Sequence, residues 1–238
     1  MTPETQSLGP WLRPCQMKYS KTLGREKKLM KNLISNLPTF DVYSQNWHYT
    51  ITNWLPFYWE GFKQTTRYTY RLPDISDESK IWDGLRENIR TDIRKAENRF
   101  NLEVRTDLGI TTFWKLFAKT YARQGKPLPH TEEFIVNLDK KASLAKSRKI
   151  FIAIDSKGQH HAGAYLVWDQ NSAYYLMGGG DPTLRNSGAS SLCLWEAIRF
   201  ARRVTKSFDF EGSMIESVER FFRAFGAIQT QYSFVTKK

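Results

Sequence analysis

The sequence predicts a mixed α/β fold organised around one sheet. Three observations carry this expectation. From residue 76 to about 146, apolar residues recur at spacings of three and four, the period of amphipathic helices. From 148 to 180 the period changes to two, in three segments rich in β-branched and aromatic residues. Beyond 187, helical and extended patterns alternate to the end. The expected order from residue 76 is three helices, three strands, then helix, strand, helix and strand. The expected division is a partial N-terminal unit over 1–75 and a main domain over 76–238.

Taken in order, SKTLGREKKLMKNLISNLP reads as a basic amphipathic helix carrying Leu29, Met30, Leu33 and Ile34, ended by Pro38. An aromatic stretch follows, with a turn or short helix at 56–62 and a strand at 64–71. Its cluster Trp54, Phe57, Tyr58 and Trp59 reads as core, with a groove for an acyl or sugar group as the alternative. The run SDESKIWDGLRENIRTDIRKAENRF places Ile81, Trp82, Leu85, Ile89, Ile93, Ala96 and Phe100 on one face of a single helix, with Ser76 as its cap. Helices at 111–123 and 131–146 come next, the second opened by Thr131. KIFIAID, HHAGAYLVWD and NSAYYLMGG are strands joined by hairpin turns. A helix at 187–203 and the strand SFDFEG follow. Ser213 and Glu216 then form a capping box for ESVERFFRAFG, Gly226 stops that helix, and TQYSFV closes the sheet.

With 40% hydrophobic residues and eight Trp, the chain has the composition of a folded protein. The net charge of +12 favours anionic partners without choosing among them. The two cysteines, Cys15 and Cys193, suggest no bridge, and a cytoplasmic location is the simpler expectation. His48, His130, His160 and His161 lack zinc-ligand spacing, so no metal is expected. No apolar run reaches the length of a bilayer span.

The chemistry concentrates in YYLMGGGDPTLRNSGASSLCLWEAIRF. A strand, a glycine-rich loop and a helix start form an anion site, because the first N–H groups of a helix have no internal partner. The spacing fits neither a dinucleotide fingerprint nor a P-loop. Arg185, Asn186, Ser187, Gly188, Ala189 and Ser190 resemble the pyrophosphate signature of GNAT acyltransferases, [Gln/Arg]-x-x-Gly-x-[Gly/Ala], with Ser190 departing at the last position. The competing reading is a plain turn and cap. A bulky residue at 188 is expected to weaken donor binding while leaving the fold intact.

The blocks WDGLRENIRTDIRKAENRFNLEV, AGAYLVWDQNSAYYLMGGGD, LCLWEAIRFA, SFDFEGS and ERFFRAFGA resemble, in the same order, the Fem-like branch of the GNAT superfamily. That branch includes aminoacyltransferases acting on cell-wall precursors. The resemblance implies a GNAT-like acyltransferase fold, a chain short at its N-terminus, and transfer of an acyl or aminoacyl group to an amine. The donor is a phosphorylated one, acyl-CoA or aminoacyl-tRNA; no tightly bound cofactor and no DNA are expected. A non-catalytic module on tRNA or an anionic membrane is the alternative.

Alternation along FDFEGS sends Phe208 and Phe210 inward and Asp209 and Glu211 the other way, where either acid could take a proton from the amine. The competing reading pairs Asp209 with an arginine. Tyr175, or Tyr232, could protonate a leaving group. Lys63, Arg67, Gly179 and Asp181 are expected substrate contacts. The stripe Arg86, Arg90 and Arg94 with Lys95 reads first as a solvated face, and second as a phosphate-binding one.

Overall fold

The computed structural model describes residues 7–212 and 214–238. The chain divides into two compact units: Met1–Thr69 with Gln229–Lys238, and Tyr70–Ile228.

In the first unit, helix α1 (Tyr19–Ser35), strand β1 (Tyr43–Asn46), the short helix α2 (Leu55–Trp59), the start of β2 (Lys63–Leu72) and most of β8 (Ile228–Lys237) enclose a small core. Met30, Trp47, Phe57, Phe62 and Val235 fill it. Phe57 stands edge-on to Trp47 and to Phe62, with centroids 4.7 and 4.9 Å apart. Of the aromatic cluster read as core, Phe57 alone is buried, while Tyr58 and Trp59 are exposed.

The second unit opens with α3 (Glu78–Gly84) and α4 (Glu87–Asn98), where the periodicity had implied one helix. The apolar face does run on, but Leu85 is extended between the two helices. The break frees the Arg86 N–H to donate to Ala224 O at 2.9 Å, and Gly226 passes so close to Gly84 that a Cβ there would meet Gly84 O at 2.7 Å. Asp77 rather than Ser76 caps α3, accepting from the N–H groups of Ser79 and Lys80. A short strand β3 (Glu103–Arg105), absent from the sequence reading, precedes α5 (Ile110–Arg123) and α6 (Glu132–Leu144), the latter capped by Thr131 as expected.

Strands β4 (Arg148–Ile154), β5 (His160–Trp168) and β6 (Ser172–Gly180) form an antiparallel meander. Beyond a 3-10 turn at Pro182–Ser187 come α7 (Ala189–Ala201), β7 (Ser207–Asp209) and α8 (Glu216–Arg223). Ser213 lies outside the described residues, and α8 has Ile215 as its N-cap. The sheet of this unit runs in the order β7-β6-β5-β4-β3, with the end of β2 (Arg71, Leu72) antiparallel on β7. One face of the sheet packs on α4 and α7 through Ile89, Ile93, Leu192 and Ile198; the other packs on α5 and α6 through Phe113, Phe117 and Ile135.

Two irregularities in this sheet position the site. The pair β6–β7 is parallel and brief: Ser172, Ala173 and Tyr174 face Ser207, Phe208 and Asp209, after which β6 continues through Gly180 with β5 alone. Beside that parting, the register shifts so that Leu166 faces Tyr175 and Tyr165 faces Met177, a bulge at Leu176. The bulge turns Tyr175 and Gly178 to the same face.

Candidate active site

The three glycines belong to strand β6, where Gly178, Gly179 and Gly180 face Ala164, Gly163 and Ala162; they are not a loop. Their small size serves packing. A Cβ on Gly178 would fall 1.6 Å from the Tyr175 hydroxyl, and one on Gly179 would fall 2.5 Å from the Phe117 nitrogen of α5. Gly179 is therefore turned to α5.

The chain then turns at Asp181, whose buried carboxylate accepts from Thr183 N at 2.9 Å, Thr183 Oγ1 at 2.6 Å and Lys119 Nζ at 2.5 Å. The Lys119 ammonium foremost, and then Thr183, pull its pKa down to about 2. Asp181 thus caps the 3-10 turn and stays ionised.

That turn delivers the chain to α7. Gly188 has φ +80° and ψ 5°, the left-handed conformation, and serves as N-cap with no side chain to offer. Ser187 is buried, its hydroxyl donating to Leu184 O and accepting from Ala189 N. Gly188 also lies against α4, since a Cβ would come within 2.1 Å of Asp92 O. A bulky residue at 188 would disturb the fold as well as the loop, contrary to the sequence-based expectation.

A cleft of about 230 Å3 opens here, between the start of α7, the middle of α4, the start of β5 and the end of β6. Gly180, Asp181, Arg185, Ser187, Gly188, Ala189 and Ser190 line it, joined by Asp92, His161 and Phe221, which the sequence reading had not singled out. Asn186 is exposed beside it. Arg185 is exposed, and among the described residues its guanidinium makes no ion pair. His161 is buried, with Nε2 3.4 Å from Asp155 Oδ2 and its ring edge-on to Phe100. A register shift between Ala153 and Ile154 opposite places it there. That irregularity has no signature in sequence, where the pair His160/His161 shows only what it lacks as a zinc site.

The expected acids follow the parting of the strands. Asp209 is buried, 3.8 Å from Arg71 through Oδ2, and it accepts from Glu211 N at 2.7 Å through Oδ1. Glu211 is partly buried with φ +60°, an uncommon conformation for a residue with a Cβ, and Gly212 follows at φ +67°. Tyr175 packs edge-on to Phe222, and burial raises its pKa, so its hydroxyl keeps its proton. Cys193 is buried in α7, and burial pushes its thiol up to about 12, which makes it no nucleophile.

Lys63 and Arg67 belong to the first unit. Lys63 is exposed, and Arg67 lies over the Phe234 ring at 3.8 Å with Nη1 3.5 Å from Asn46 Oδ1. In the stripe on α4, Arg90 and Arg94 approach Glu87 at 2.8 and 3.8 Å, and Lys95 pairs with Asp92 at 2.9 Å. Those cations have local carboxylates, as a solvated face would. Among the described residues no group of His, Cys, Asp and Glu could hold a metal ion, and no helix is long and apolar enough to cross a membrane.

A family described as "Acetyltransferase (GNAT) domain" matches residues 84–223. The fold is similar to that of FemX, with a TM-score of 0.70 at 13% identity, covering 90% of this chain and 77% of that one. It is also similar to L-PGS from Bacillus licheniformis, with a TM-score of 0.58 at 8% identity, covering 93% and 74%. A third similar structure is the C-terminal domain of a putative lysylphosphatidylglycerol synthetase from Agrobacterium fabrum. There the TM-score is 0.55 at 12% identity, with coverage of 78% and 64%. At such identities the likeness is one of fold. No curated protein matches the sequence.

Proposed function

The chain belongs to the GNAT acetyltransferase-domain family, and from that premise we propose that it is an N-acyltransferase drawing on a small phosphorylated donor, an acyl-CoA, held at residues 185–190. The observation that carries this reading is the cleft at the start of α7. There the first-turn N–H groups, a left-handed Gly188 and the Arg185 guanidinium converge on one space. The residues fit a pyrophosphate: the donors are backbone N–H groups and a cation, and the glycine keeps the wall low.

The alternative donor, aminoacyl-tRNA, is what the Fem resemblance implies. The charges around the cleft argue for the smaller donor. Asp92 and Asp181 also line it, Lys119 is held by Asp181, and the α4 cations already have carboxylates. Both donors would meet these acids, but the Arg185 guanidinium and a few backbone N–H groups can serve one pyrophosphate, whereas a nucleic acid needs cations for a run of phosphates.

Beyond Tyr174 the edge of β6 that faced β7 carries no strand among the described residues, so its backbone can hold the acyl arm of the donor, as a parted sheet edge allows. The amine attacks the thioester carbon; the C–N bond forms, the C–S bond breaks, and the thiolate leaves. Glu211, aimed by its left-handed backbone and held through its N–H by Asp209, takes the proton from the amine. Asp209 is the positioning residue of the pair. Tyr175, which burial keeps protonated, acts as a hydrogen-bond donor to the leaving sulfur, and the thiolate takes its proton from solvent. Catalysis then rests on alignment and on charge stabilisation.

Calorimetric titration with CoA tests the reading. CoA should bind with a shallow salt dependence, and Arg185→Gln should weaken it about tenfold, the scale of one charged hydrogen bond. No CoA binding, together with tRNA binding that falls steeply with salt, would reverse the choice of donor.

A further inference from the structure

The excess positive charge is concentrated away from the cleft. The first unit carries eleven Lys and Arg against four Asp and Glu, more than half of the net +12 in about a third of the residues. Much of it lies on α1, where Lys21, Lys27, Lys28 and Lys31 are all exposed. Helix α2 packs beside α1, with Lys27 Nζ 4.5 Å from the centre of the Trp59 ring and Lys31 Nζ 3.1 Å from Glu60. Because α2 buries Pro56 and Phe57, it turns Leu55, Tyr58 and Trp59 outward at the i, i+3 and i+4 positions of one face. They are 49%, 58% and 50% exposed. One surface thus presents an aliphatic side chain, two amphipathic aromatics and a row of lysines.

We infer that this face of α1 and α2 is a docking surface for an anionic lipid bilayer. Each component matches a layer of such a surface. Lysines meet the phosphate headgroups, the Tyr58 and Trp59 rings suit the interface, and Leu55 reaches the edge of the acyl region. A nucleic acid is the other polyanion that would fit lysines and aromatic rings. It has no use for the exposed Leu55, and the one arginine of α1, Arg25, donates from Nη1 to Arg13 O. Three neighbouring side chains with apolar surface exposed to water mark a contact surface, and the row of lysines beside them suits an anionic, hydrophobic layer. The inference stands on the first unit alone and does not rest on acyl transfer.

Co-sedimentation with phosphatidylcholine vesicles, with and without phosphatidylglycerol, tests it on the full chain. The protein should pellet with the anionic vesicles only and be released by high salt. Replacing Lys27, Lys28 and Lys31 with Gln together should lower partitioning about tenfold to a hundredfold at low salt. The pair Tyr58→Ser and Trp59→Ser should weaken binding while keeping its salt dependence, with melting temperatures unchanged in both sets. Three results overturn the inference: equal binding to neutral vesicles or none to either, displacement from anionic vesicles by RNA that the lysine variants also fail to bind, or a self-association that the same variants abolish.

Discussion

Residues 178–181 and residues 185–190 follow one another in the chain and share a small, polar composition, yet their groups are engaged in opposite ways. In the first stretch each special residue answers to a neighbour in the fold: Gly178 admits the Tyr175 hydroxyl, Gly179 admits the backbone of α5, and Asp181 holds Lys119 and Thr183. In the second, Arg185 has no ion pair among the described residues, and the glycine cap offers α7 no side chain, so that Ser187 Oγ, accepting from Ala189 N, is the one side-chain partner described for its first-turn N–H groups. Glycine content marks both stretches, but only the second leaves groups for a ligand. A candidate anion site is recognised by what the fold leaves unbonded rather than by how many glycines surround it.

The sharpest way to break that contrast is a side chain at Gly179. Its Cβ would sit 2.5 to 2.7 Å from the α5 backbone at Leu116 and Phe117, which cannot move without shifting the helix. Gly179→Val should cost about 3 kcal/mol or more, the upper range of overpacking. Chemical denaturation measures it. A stable Gly179→Val with impaired CoA binding would instead return Gly179 to the donor site.

The two acids after β7 offer the next largest effect. Glu211→Gln should lower kcat about a hundredfold with little change in KM, the scale of lost proton transfer. Glu211→Gly should lose as much turnover but no stability, because glycine accepts φ +60° without strain. Asp209→Asn should lower the melting temperature, since it breaks a buried pair with Arg71. Equal kcat in wild type and Glu211→Gln would remove Glu211 from the proton path.

The same contrast explains what could be read from the sequence. Apolar periodicity located α5, α6 and β4 to β6 because each buries a continuous stripe, as Phe113, Leu116 and Phe117 do in α5. It carried straight through Leu85, since a break that keeps the stripe in phase leaves the apolar pattern intact. It missed β3, three residues long and partly exposed, which has too few positions to show a period. The bulge at Leu176 and the register shift at Ile154 are properties of pairing with another strand. So the packing of Tyr175 against Phe222 and the place of His161 at the cleft were beyond local reading. The candidate signature at 185–190 was legible because it is a run of consecutive residues that stays together at one helix start.

The smallest effect concerns Asp181, and it asks whether the first stretch is as engaged as its contacts indicate. Its carboxylate titrates at about 2 in the fold, against an ordinary 3.8, with Lys119 the foremost cause. A depressed carboxylate contributes stability that is present above its unfolded pKa and lost as pH falls through the folded one. The window is therefore from about pH 4 down to about pH 2. Lys119 is 54% exposed, so water screens the pair and its share stays below about 1 kcal/mol. Asp155 and Asp107 also have lowered pKa values, through their hydrogen bonds with Gln159 and Arg105, so wild type alone cannot isolate the effect. The difference between wild type and Asp181→Asn can. Thermal melts of the two should diverge above pH 4 and draw together as pH approaches 2, and added salt should shrink the gap. A gap constant across that range would mean that neither Lys119 nor Thr183 holds the carboxylate in its ionised form, with Lys119 left as available to a ligand as Arg185 is.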